Sequence, residues 1–101
     1  MAQLLVLYNT PADPAAFDRY YHQTHIPLAR KIPGLRSYLI SGGPVQAVAG
    51  TAPHLIATLN FDSMANLSAA LGSPEGQAAA ADLSNFASGG ATLVMHDSKV
   101  V

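Results

Sequence analysis

Apolar residues fall along this chain in blocks, and the spacing within the blocks alternates between that of strands and that of helices. Residues 3–9 (Gln-Leu-Leu-Val-Leu-Tyr-Asn) form a short apolar run closed by a Thr-Pro turn, which predicts a central strand buried on both faces. Asp13 is placed to cap a helix that Pro14 opens, because proline's missing N–H is not needed at the first helical position. Phe17, Tyr21, Thr24 and Leu28 then recur at four, three and four residues and line one face of that helix, with Tyr20 and His25 on its flanks. Pro27 cannot donate to the carbonyl of Gln23 and biases Ile26 away from helical angles. A kink or break is expected there, with His25 at the irregularity, before Pro33-Gly34 stops the helix near residue 32.

The second half repeats the pattern. Leu35–Ser41 predicts a strand with Leu35, Ser37, Leu39 and Ser41 on one face and Arg36, Tyr38 and Ile40 on the other. Residues 42–53 are small and loop-like, and a mobile loop is expected. Residues 54–61 predict a third strand, with Leu55, Ala57, Leu59 and Phe61 opposite His54, Ile56, Thr58 and Asn60. Ser63 caps a helix over Met64–Leu71, and Gly72 offers a left-handed stop. Ser73, Pro74 and Glu75 open another helix to about Phe86, whose Ala78–Ala81 run permits close backbone approach. Gly89-Gly90 turns the chain into a fourth strand, Ala91–Asp97. The order is β-α-β-β-α-β with the second helix broken in two. Right-handed crossovers put both helices on one face, which gives a single-domain (1–101), ferredoxin-like α+β sandwich over a four-stranded antiparallel sheet. Positions such as Ile56, Thr58, Ile40 and Tyr38, assigned to the uncovered face, are too apolar for open water, so two copies are expected to pack these faces together as a two-fold homodimer.

Composition sharpens this picture. Half the residues are apolar and only 11% charged, a sparse charged surface that again favours burial against another copy. A net charge of −1 leaves no electrostatic footprint for nucleic acid or an anionic membrane. Without cysteine there are no disulfides, no thiolate catalysis and no cysteine-ligated metal. The first residues lack the basic region of a signal peptide, and no run of about 18 apolar residues exists, so the expected location is cytoplasmic with no membrane partner. His22 and His25, three residues apart, could touch one metal, but no third ligand completes a motif; neither a metal nor a cofactor is expected. No nucleophile elbow or phosphate-binding glycine loop is present.

Titratable side chains, aromatics and a helix interruption coincide only in residues 17–38. His25 is the leading catalytic candidate, since an imidazole moves protons near neutrality; the alternative is a histidine that hydrogen-bonds a carbonyl freed by Pro27. Tyr38, mid-strand, could donate its hydroxyl to a substrate oxyanion or simply fill the core. Tyr20 and Tyr21 read as core, with one of them shaping a pocket. Asp82 and Asn85 share one side of the last helix, where one could reach His25 and orient its ring; the alternative is helix-end capping and solvation. Phe86 reads as core.

Two motifs carry a family resemblance. Phe17-Asp18-x-Tyr20-Tyr21-x-x-x-His25-x-Pro27-Leu28 leads to Lys31-x-Pro33-Gly34-Leu35-x-x-Tyr38; later come Ser73-Pro74-Glu75-Gly76-Gln77-Ala78-Ala79 and Asp82-Leu83-x-Asn85-Phe86-Ala87-x-Gly89-Gly90. In this order they resemble the EthD family of small dimeric α+β barrel proteins. The resemblance implies a dimer joined through its sheets and a pocket between sheet and helices for a small apolar, oxygen-bearing ligand. Founding members accompany a cytochrome P450 system that degrades an alkyl ether. Related proteins include muconolactone and methylmuconolactone isomerases and cofactor-free monooxygenases and cyclases of polyketides. A histidine and a tyrosine line the pocket of the methylmuconolactone isomerases at a spacing similar to that of His25 and Tyr38. The implied activity is cofactor-independent isomerisation or cyclisation with His25 as acid–base. The alternatives are a non-catalytic accessory protein of an oxygenase system, or a cofactor-free monooxygenase.

Overall fold

The computed structural model describes residues Met1–Val101. Four strands, β1 (Ala2–Tyr8), β2 (Ser37–Ile40), β3 (Leu55–Phe61) and β4 (Ala91–Asp97), form one antiparallel sheet in the order β2-β3-β1-β4. Between β1 and β2 run α1 (Pro14–Tyr20), a π-helical turn (Tyr21–His25) and α2 (Ile26–Ala29). Between β3 and β4 run α3 (Met64–Gly72) and α4 (Pro74–Phe86). This is the ferredoxin-like α+β arrangement that the element order predicts.

The predicted caps are in place. The side chains of Asp13, Ser63 and Ser73 accept from the backbone N–H groups of Ala16, Asn66 and Gly76. Gly34 takes the left-handed φ of 79° that turns the chain out of the helical segment toward β2. Gly72, expected as a left-handed stop, does not adopt positive φ; the break before α4 falls at Ser73, whose backbone is extended. Gly76 is required for a different reason. A Cβ there would lie 2.1 Å from the Ala70 carbonyl oxygen, so only glycine lets α4 fold back tightly on α3.

Helices cover one face of the sheet, which corrects the reading of β1 as buried on both faces. Ala2, Leu4, Val6 and Tyr8 are buried, while Gln3, Leu5 and Leu7 between them are only half-buried. The pairing of β2 with β3 corrects a second expectation. Tyr38 lies opposite Leu59 and Ile40 opposite Ala57, so both point into the helix-covered core and not onto the open face with Ile56 and Thr58. Alternation within a strand gives two sets of residues, but only the register with its neighbour says which set faces the core. The open face instead carries Leu5, Leu7, Leu39, Ile56, Thr58 and Val94, with Leu39 54% and Val94 45% exposed. On the helix side, α3 packs over β1 and β3, and β4 is left outside this cover. No helix is long and apolar enough to cross a membrane.

A buried dyad facing an apolar cavity

The π-helical turn sets the site. The predicted inner stripe was Phe17, Tyr21, Thr24 and Leu28; the observed one is Phe17, Tyr21, His25 and Ala29. The backbone N–H of Ile26 bonds the Tyr21 carbonyl five residues back, so this turn holds one residue more than an α-turn. That extra residue turns Thr24 out to solvent and carries His25 inward, to 5% exposure. The irregularity expected at Pro27 therefore lies just before it, and Pro27 sits in the first turn of α2, where its missing N–H is harmless.

Across from this turn, α4 brings Asp82 to the imidazole. His25 Nδ1 lies 3.0 Å from Asp82 Oδ2, and both side chains are 6% exposed. The other carboxylate oxygen accepts from the Tyr20 hydroxyl at 2.6 Å and from Asn85 Nδ2 at 2.9 Å. Burial works to raise the Asp82 carboxyl, but these donors outweigh it and hold the group below the usual carboxylate range. Asp82 is thus an acceptor only, and Nδ1 of His25 must carry the proton that bonds it. The tautomer follows from the carboxylate: Nε2 of His25 is left with its lone pair. Burial lowers the imidazole pKa against the opposing pull of Asp82, so the ring is neutral at pH 7 and available as a base.

Phe86 packs on His25 with ring centroids 4.7 Å apart, and Tyr21 packs at 5.3 Å. Tyr21 and the imidazole border a narrow cavity of about 50 Å³ between the sheet and α4, lined chiefly by apolar side chains such as Val6, Leu59, Leu83 and Leu93, while Asp82 and Phe86 stand outside its lining. Tyr38 also lines it, and its hydroxyl is 2.5 Å from that of Tyr21, so one of the two donates to the other and one hydroxyl proton is left over. Burial raises the phenol of each.

The seven residues singled out from the sequence are therefore drawn into one region: His25, Tyr20 and Asn85 on Asp82, Tyr38 on Tyr21, and Phe86 beneath the imidazole. The capping-and-solvation alternative for Asp82 and the freed-carbonyl alternative for the His25 ring are both replaced by the contact between them. Sequence reading missed Tyr8, which also lines the cavity. Its only signal was its place at the end of the buried alternation of β1. A second pair was missed too. His54 Nε2 lies 2.8 Å from Asp18 Oδ1 beside an open cleft of about 640 Å³ that His22 and the loop after β2 also line. No three His, Asp or Glu side chains converge to hold a metal ion.

The EthD domain family matches residues 9–90, a span that contains the dyad, its supporting residues, all the helices and the strands β2 and β3. The chain belongs to the EthD family. An uncharacterized 11.0 kDa protein in the thcB-thcC intergenic region of Rhodococcus erythropolis is 43% identical over 103 residues, covering 100% of this chain and 98% of that one. The crystal structure of an EthD family protein from Bacillus halodurans superimposes with a TM-score of 0.88 at 33% identity, over 98% of this chain and 99% of the other. Two more distant structures share the fold alone. SnoaB, a cofactor-independent oxygenase from Streptomyces nogalater, has a TM-score of 0.68 at 12% identity, with 99% and 94% of the two chains covered. A dimeric ferredoxin-like protein of unknown function from Thermobifida fusca has a TM-score of 0.69 at 16% identity, with 94% and 88% covered.

Proposed function

We propose that this EthD protein binds a small apolar, oxygen-bearing compound, of lactone, aromatic or polyketide-like character, and moves a proton on it without a cofactor, in an isomerisation or cyclisation. The observation that carries this reading is the neutral His25 imidazole, held by a buried carboxylate, with its free nitrogen beside an apolar cavity. A base in a dry site needs a fixed tautomer and a partner for the imidazolium it becomes, and Asp82 provides both. Tyr38 would donate toward the ligand's oxygen the hydroxyl proton that its contact with Tyr21 leaves over. The test is deuterium incorporation from heavy water into a panel of lactones and enolisable ketones, followed by NMR. Exchange should rise with pH as His25 loses its proton, then level off, and His25→Ala should lower it by about a hundredfold or more with the fold intact. An unchanged rate removes His25 from the chemistry.

The narrowness of the cavity favours a second reading. About 50 Å³ is far below the roughly 300 Å³ of ordinary ligand pockets. A protein that holds or passes on a ligand for a separate oxygenase, as in an ether-degrading P450 system, requires no turnover here. Ligand binding by calorimetry with no exchange in any compound would select this reading. A cofactor-free monooxygenase would begin with the same proton abstraction and is separated by oxygen consumption.

In this reading the working unit is a homodimer joined through the open sheet face. That face is apolar at Leu5, Leu7, Leu39, Ile56 and Val94, and it holds the buried Asn60 Oδ1, which has no hydrogen-bond partner within the chain. Sedimentation equilibrium should show dimers for the wild type and monomers for Leu39→Lys; a monomeric wild type would sink the arrangement.

A further inference from the structure

Two polar groups that line the cavity keep an unused hydrogen-bonding site. Nδ1 of His25 is bonded to Asp82 and Nε2 to nothing. The other is the hydroxyl of Tyr8. This residue is 1% exposed, and its hydroxyl lies beside that of Tyr21, from which it can accept a hydrogen bond while its own proton stays unused. Asn60 Oδ1 is the only fully sealed side-chain oxygen or nitrogen that lacks a partner, so the free atoms of Tyr8 and His25 both reach open space. The space that both residues line is the apolar cavity; neither lines the outer cleft. Buried polar groups are ordinarily paired, and leaving one unpaired is costly. One free donor and one free acceptor in a single apolar chamber therefore describe the ligand that would complete them.

We propose that Tyr8 is a catalytic residue that donates a hydrogen bond to the ligand's oxygen, and that the ligand is a compact, neutral carbonyl compound with an enolisable carbon beside the carbonyl. This rests on the proton-transfer reading above and adds to it a second contact and a substrate class. The ring of Tyr8 is fixed by Phe17, Tyr21 and Phe86, at centroid distances of 5.3, 5.6 and 5.6 Å, so its hydroxyl is held before the ligand arrives. In the step itself, Nε2 of His25 takes the proton from carbon. The C–H electron pair forms the new C=C bond, and the carbonyl π pair moves onto oxygen. Tyr8 hydrogen-bonds the resulting oxyanion and keeps its own proton. Return of the proton from His25 to the same or a conjugated carbon restores the carbonyl, so nothing is oxidised, reduced or released. The Tyr21–Tyr38 pair lines the same cavity and is a further hydroxyl source, with one proton not used between them.

Cyclopentenone is a suitable probe. Its infrared carbonyl stretch moves to lower frequency, a red shift, when the oxygen accepts hydrogen bonds, and its α′-carbon exchanges protons through the enolate. The wild type should bind it with a red-shifted band and catalyse deuterium exchange. Tyr8→Phe should lose the shift, weaken binding by about tenfold, and lower exchange by about a hundredfold. His25→Ala should keep the shift and lose the exchange. Binding with the shift but no exchange in the wild type would fail the proton-transfer reading while leaving the Tyr8 contact standing. A Tyr8→Phe protein with wild-type shift and affinity, or no binding to the wild type at millimolar probe, overturns the proposal. A crystal of the wild type with cyclopentenone tests it without any variant: the carbonyl oxygen must lie within hydrogen-bonding distance of Tyr8 Oη, and ordered water alone in the cavity counts against it.

Discussion

Two histidine–carboxylate pairs stand in this molecule at nearly the same distance, 3.0 Å for His25–Asp82 and 2.8 Å for His54–Asp18. Their surroundings differ. The side chains of the first pair are each 6% exposed, and three donors converge on the carboxylate. In the second pair Asp18 is 54% exposed, and His54 Nε2 is the only side-chain partner it has. Water screens the second pair and competes for its carboxylate, so the contact is worth little to stability. In the first, burial keeps bulk water from competing for the carboxylate, and its orientation dictates the tautomer of the imidazole. Equal distance does not make the two pairs alike. Burial, and the three donors on the two carboxylate oxygens, separate the first pair from the second.

The largest expected difference between the pairs is in chemistry. Asp82→Asn places an amide where the carboxylate was, which allows the wrong imidazole tautomer and removes the partner of the imidazolium; deuterium exchange should fall by about 10²- to 10⁴-fold. Asp18→Asn should leave exchange unchanged. Equal losses from the two substitutions would place the chemistry in the outer cleft. A smaller difference is expected in stability. Asp82→Ala strips a buried imidazole and two further donors of their acceptor and should cost about 2 kcal/mol in chemical denaturation. Asp18→Ala should cost about 0.5 kcal/mol or less. A negligible cost at Asp82 would mean that water replaces the carboxylate and that the site is wetter than its burial indicates.

Sequence periodicity made the architecture legible because strands and helices have fixed repeats and because Asp13, Ser63 and Ser73 announce helix starts by their own chemistry. It failed where one residue changes the phase. The π-turn inserts a residue between Tyr21 and Ile26, and a pattern written for 3.6 residues per turn then puts Thr24 and Leu28 inside when His25 and Ala29 are there. Pro27 was a warning of irregularity, but not of its direction. The face taken by Tyr38 was illegible for a related reason, since register between strands is a tertiary fact. Within the site, the spacing of Asp82 and Asn85 marked them as a pair on one side of α4, and the structure divides their work: Asp82 meets the imidazole and Asn85 holds Asp82. Tyr8 was hidden because a tyrosine ending a buried strand resembles any core aromatic until the cavity beside it is seen. His54 and Asp18 are 36 residues apart, and nothing local joins them.

The smallest of these effects is also the most diagnostic of burial. Both members of the inner pair have folded pKa values below their ordinary ones, His25 by burial and Asp82 by its donors. In either case the unfolded chain binds more protons than the folded one, so stability rises with pH through the window where they differ. The imidazole's contribution is fully present above its ordinary value of 6.5 and is lost as pH falls through the lower, folded value. The carboxylate's contribution is present above 3.8 and is lost at still lower pH. Denaturation midpoints should therefore fall in two stages on acidification, with a slope of at most about 1.4 kcal/mol per pH unit for one proton in each. His25→Asn should abolish the upper stage and leave the lower one. If the upper stage persists in that variant, it belongs to another group, and the imidazole is not desolvated in the way that separates this pair from its exposed counterpart.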